Sequence, residues 1–191
     1  MQKYGPDGVG NVHGPVQVYM ANRPAFDLAG ESGAVTPIDI HIINSINAEC
    51  GNGWRKVFNV YAKWIFSLCE GLAISKATTW QSYRDEQLLT AQGDTALWFA
   101  PPPTFNPQHL NIVMGKTYAG QLDLTQRMNW VSADFAVCRQ RNLIVTPYFD
   151  YRQLTNEKVG FLNYLIRSKL LDESAMQQQG SWLQALGNNK C

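Results

Sequence analysis

The side chains of this 191-residue chain best suited to chemistry fall in four short segments, each directly after an apolar, β-favouring run. The segments are Asn22-Arg23-Pro24, Pro101-Pro102-Pro103-Thr104-Phe105-Asn106, Gly115-Lys116-Thr117-Tyr118 and Pro147-Tyr148-Phe149-Asp150-Tyr151-Arg152. Their chemistry is of two kinds. Asn22, Tyr148 and Asp150 are the candidate catalytic groups, an amide, a phenol and the one carboxylate within these segments, able to position water or exchange protons. Arg23, Lys116, Thr117 and Arg152 are candidate anion ligands, and the rings of Phe105 and Phe149 could stack on a planar substrate.

Other chemistries find little support. Gly115-Lys116-Thr117 resembles the end of a phosphate-binding loop, but that loop needs a glycine five residues earlier, where Leu110 stands inside an apolar run. A single anion held by Lys116 and Thr117 at the start of a helix is what survives. His13, His41 and His109 lie outside the four segments, and Cys50, Cys69, Cys138 and Cys191 form no CxxC or Cys/His pair at ligand spacing, so neither a metal nor a cofactor is expected. No GxSxG nucleophile elbow is present.

The segments need elements to hold them. Val16 to Met20, Ala96 to Ala100, Leu110 to Met114 and Leu143 to Thr146 read as strands, with prolines closing the first, second and fourth. Trp54, Val57, Phe58, Tyr61, Ile65 and Leu68 fall at helical spacing and end at Gly71. Leu124, Met128, Val131, Phe135 and Cys138, in steps of four and three, predict another helix. Val159, Leu162, Leu165 and Ile166 predict a last one, capped by Thr155 or Asn156. Residues 1–14 read as an irregular lead-in, 25–37 as a long loop before one or two helical turns at 38–47, and 172–191 as a polar tail.

Strands alternating with amphipathic helices imply one α/β domain over residues 1–191. The expected form is a three-layer arrangement of a short, four-stranded, mainly parallel sheet with helices on both faces. In such a sheet ligands bind beyond the carboxyl ends of the strands, where the four segments lie.

Composition limits the partners. Hydrophobic residues make up 45% and charged residues 16%, so a packed core rather than disorder is expected. Sixteen Lys and Arg against fifteen Asp and Glu leave a net charge of +1, which provides no long-range attraction to nucleic acid and allows only weak binding to DNA or a nucleotide through a local patch. With no run of about 18 apolar residues and no secretory leader pattern, no membrane partner and a cytoplasmic location with free thiols are expected. Nothing in the residues fixes the oligomeric state.

Taken in order from Pro15 to Ile166, the strand ends resemble those of the uracil-DNA glycosylase superfamily, through LNIVMGKTYAGQL and LIVTPYFDYRQLTNEK. The resemblance implies a four-stranded parallel core and places Asn22 where that family keeps its water-activating group beside a proline. The family's last loop reads His-Pro-Ser and stabilises the departing base. Here the corresponding residues are Pro147-Tyr148-Phe149. The implied function is a glycosylase-like domain with an altered site that binds a nucleobase, nucleotide or nucleic acid, with Tyr148 as donor. If it is an enzyme, it is a hydrolase of an N-glycosidic bond. Two other classes stand beside it: an interaction domain using Trp80, Tyr83 and Trp182, and a small-molecule enzyme using Asp150 or Tyr148 in the same crevice.

Overall fold

A computed structural model describes residues 5–72, 77–102 and 104–170. Pro103, the tail 172–191 with its Trp182 and Leu183, and Cys191 lie outside the described residues. The fold is α/β, a sheet flanked by helices.

Its centre is formed by the four expected runs: β2 (Val16–Tyr19), β4 (Thr95–Trp98), β5 (Leu110–Met114) and β8 (Leu143–Thr146). They lie side by side in the order β4-β2-β5-β8, every neighbouring pair parallel, so their carboxyl ends share one edge. The sheet does not stop there. Among the described residues it has eight strands and is mixed, which corrects the expectation of four. On one side β1 (Gly8–Gly10) pairs antiparallel with β4 and parallel with β3 (Val35–Thr36). On the other, β7 (Ala136–Cys138) runs antiparallel to β8 and carries β6 (Asn129–Trp130).

Two corrections follow from these edge strands. The supposed lead-in contains β1, whose Gly-Val-Gly sequence looks like a loop but suits close packing. Gly10 has φ +110°, and a Cβ there would strike the Thr95 carbonyl and Ala96 of β4. The helix expected over Leu124 to Cys138 does not exist. Asp123 turns into the left-handed region (φ 53°), ending the preceding helix, and the chain then forms the β6–β7 hairpin. The 4-3-4-3 apolar spacing arises from residues that pack on different faces of the sheet: Leu124 and Met128 on one, Phe135 on the other.

The two faces are covered unequally. Val16, Val18, Met20, Leu97, Ile112, Met114 and Ile144 point to a large core beneath α1 (Ile40–Glu49), α2 (Asn52–Gly71), α3 (Trp80–Glu86) and α5 (Asn156–Leu165). Three of these helices begin on side-chain caps: Asp39 accepts from the Ile42 N–H, Thr79 and Ser82 form a reciprocal box, and Thr155 accepts from the Lys158 N–H. The second face carries only α4 (Lys116–Gln121) among these helices, with Tyr19, Val113, Leu124 and Val145 in a smaller core.

That thinner side holds a buried polar network. The Trp98 Nε1–H donates to Gln17 Oε1 at 2.6 Å, and the Tyr19 hydroxyl donates to Asn111 Oδ1 at 3.2 Å. Asn111 Nδ2 in turn donates to the carbonyls of Asn106, His109 and Arg141. Buried polar side chains in mid-strand are stable because each has such partners. They also hold the loops at the amino ends of β5 and β8, the end opposite the candidate site.

Candidate functional site

At the carboxyl edge, three strand ends open into one cleft with a cavity volume of about 840 Å³. β2 supplies Asn22, β5 leads into Lys116, Thr117 and Tyr118, and β8 leads into Tyr148 and then Arg152. The backbone fixes this convergence. The Gly115 N–H donates to the Thr146 carbonyl at 2.8 Å, tying the β5 exit to the β8 exit. Gly115 itself has φ +90°, a turn that a side chain would strain.

Five of the nine sequence-derived candidates meet in this cleft: Asn22, Lys116, Thr117, Tyr148 and Arg152. The Asn22 amide donates to the Tyr148 hydroxyl in a long contact of 3.5 Å. Partial burial pushes the Tyr148 phenol above its ordinary value, and the nearby Asp150 adds to this against the opposing Asn22 contact. Tyr148 is therefore a protonated donor at neutral pH. Lys116 Nζ sits 4.6 Å from the centroid of the Trp130 ring, on the hairpin, with its ammonium otherwise exposed. The helix that Lys116 begins has six residues, so Lys116 acts here as a side-chain cation.

The other four candidates, Phe149, Phe105, Arg23 and Asp150, do not line it. Phe149 is fully buried and meets Tyr61 and Trp64 of α2 edge-on at 5.5 and 5.7 Å, so its ring is core and not a stacking surface. Phe105 packs edge-on against Tyr19 at 5.2 Å on the opposite face, and the described residues of the segment after β4 do not line the cleft. Arg23 turns into a separate hollow beside Pro24 and Phe26, its guanidinium 5.8 Å from the Phe99 ring. Tyr83 is buried, and Trp80 has Lys63 and Arg84 against its ring.

Asp150 organises the loop. Its carboxylate accepts from the Arg152 N–H at 2.8 Å and from Lys56 Nζ at 3.0 Å, while its carbonyl accepts from the Gln153 and Leu154 amides. The Arg152 hydrogen bond, followed by Lys56, holds the carboxyl below its ordinary value. The Asp150 interactions are thus fully present above the unfolded carboxyl range near pH 4 and are lost as the pH falls through the lower folded value. Asp150→Asn is expected to destabilise by under about 1 kcal/mol at pH 7 and by nothing at strongly acid pH. Thermal melting against pH checks this, and an equal loss at all pH values would refute the ion-pair role.

Asp134 and Lys158 line the cleft and were missed in the sequence. They are joined at 2.6 Å, bridging the β6–β7 loop and α5. Lys158 follows the Thr155 cap by three residues, which places it on the first turn of a helix leaving the site and is the signal that could have found it. Asp134 had no such signal while its segment read as helix. Tyr118 also lines the cleft, with its hydroxyl buried and without a hydrogen-bond partner among the described residues.

Among the described residues there is no group of three or more His, Cys, Asp or Glu able to hold a metal, and no helix is long and apolar enough to cross a membrane. Among the described residues Cys50, Cys69 and Cys138 form no disulfide. Nothing matches this chain among curated proteins or among solved structures. A family model does match, over residues 7–167, a stretch that contains every cleft residue from Asn22 to Lys158. On that match the chain belongs to DUF6942, a family of unknown function.

Proposed function

We propose that the strand-end cleft is a binding site for a phosphate-bearing ligand of the nucleotide kind: a nucleobase with its phosphate, a free nucleotide or a nucleic-acid strand. The observation that carries this reading is the convergence of Lys116, Arg152 and Lys158 with Asn22 and Tyr148 in one hollow, where Asp134 is the single carboxylate among the described lining residues. Three cations against one carboxylate favour an anion, while an amide and a protonated phenol offer an acceptor and donors to the polar edge of a base. The glycosylase-like architecture belongs to the same proposal, with the Tyr148 phenol as the donor in a last loop, Pro147-Tyr148-Phe149, that holds no histidine.

Titration at low salt tests this, using nucleotides and single-stranded and duplex DNA, ordinary and uracil-containing, with tryptophan fluorescence and base release both followed. Saturable binding that weakens as salt rises is expected. Because Lys116 lies on Trp130, a ligand that draws the ammonium away should change the emission, and Trp130→Phe should remove that change. No binding to any of these at low salt would overturn the reading. Release of base above the spontaneous rate would extend it to catalysis by Asn22 and Tyr148.

A further inference from the structure

The cleft does not end at the Asp134–Lys158 pair. Both residues also line a second hollow of about 490 Å³, bounded by Phe135, Phe161, Thr155 and Glu157 on the far side of the bridge. The bridge is thus a ridge between two lobes, each within the 300–1,000 Å³ range of ligand pockets. Its side chains are substantially exposed, 38% for Lys158 and 47% for Asp134, so a ligand can cross it without breaking a buried ion pair.

The lobes differ in charge. The first sets Lys116, Arg152 and Lys158 against Asp134, and the second sets Asp134 and Glu157 against Lys158. A phosphate is favoured in the first and opposed in the second. The second offers aromatic surface instead: Phe161 is half-buried, meets Phe135 edge-on at 5.2 Å, and continues into Tyr164 at 6.2 Å, a ring 55% exposed. An uncharged planar ring is the group that suits it.

We infer that the two lobes form one extended site for a dinucleotide unit, with one ring at Asn22 and Tyr148, the phosphate at Lys116, Arg152 and Lys158, and a second ring against Phe161 across the Asp134–Lys158 ridge. This rests on the reading of the cleft above and adds the length of the ligand to it. The Lys158 ammonium serves both as part of the anion site and as the sill over which the chain passes.

The test compares thymidine 5′-monophosphate, the thymidine dinucleotide bearing the same 5′-phosphate, and a ten-residue oligothymidine on the intact protein by titration. The dinucleotide should bind roughly fivefold or more tightly than the mononucleotide. Phe161→Ala and the volume-conserving Phe161→Leu, both checked by circular dichroism, should remove that gain and leave mononucleotide affinity unchanged. Further tightening with the oligothymidine assigns the unit to a strand, and no further tightening assigns it to a free dinucleotide, each in support. Equal affinity for mono- and dinucleotide, or a gain that survives both Phe161 variants, would overturn the inference while leaving the cleft reading intact. Failure of all three probes to bind would overturn both.

Discussion

Phe149→Ala is expected to lower the stability of the folded chain by about 3–5 kcal/mol, the cost of a large cavity in a packed aromatic core. The ring is fully buried, and the edge-on contacts with Tyr61 and Trp64 make it the plug that seats the end of β8 on α2. Tyr61 is fixed in turn by its hydroxyl, which donates to the Ala96 carbonyl of β4 at 3.0 Å. Collapse into the void is therefore resisted from both the helix and the sheet. For a chain of this size the melting temperature should fall by roughly 2–4 °C per kcal/mol. A change below about 1 kcal/mol, together with a loss of ligand affinity, would show that the ring faces the ligand after all.

The second large effect is on binding. The double variant Lys116→Ala, Arg152→Ala should weaken nucleotide or single-strand binding roughly 10- to 100-fold at low salt, because two charge-assisted contacts are lost from a partly solvated site. For a single strand the slope of log affinity against log salt should fall by about 0.7 for each phosphate contact removed. Stability should stay within about 0.5 kcal/mol, since Lys116 and Arg152 are exposed. Arg23→Ala is the control. Its guanidinium lies at Phe99 in a different hollow, so affinity should not change although the sequence places Arg23 beside Asn22. Equal losses from Arg23→Ala and from the double variant would mean that binding follows total charge and not the cleft.

These contrasts show which parts of the site could be read in one dimension. The four central strands were legible because each is a short apolar run ended by proline or glycine, a signal carried within five or six residues. Helices α2 and α5 were legible because their buried stripes extend over several turns. The helix expected at 124–138 failed because apolar spacing alone does not distinguish one helical face from a hairpin whose residues pack on opposite sides of a sheet. Asp134 was lost with it, since its role depends on a loop that the misread period concealed.

By itself, the sequence determined that strands and helices alternate, that Asn22, Lys116 and Tyr148 follow strands, and that no large charge imbalance drives association. Tertiary structure alone decided that among the described residues the sheet has eight strands and three strand ends share a hollow, and that Lys158 and Asp134 close one side of it. It also sent Phe149 inward while leaving its neighbour Tyr148 at the cleft. The physical reason is that strand formation follows from local residue patterning, whereas the direction of a side chain in a loop is set by which surface lies beside it. That surface is α2 for Phe149 and the edge of the cleft for the partly buried Tyr148, and the residues that form either surface are distant in sequence.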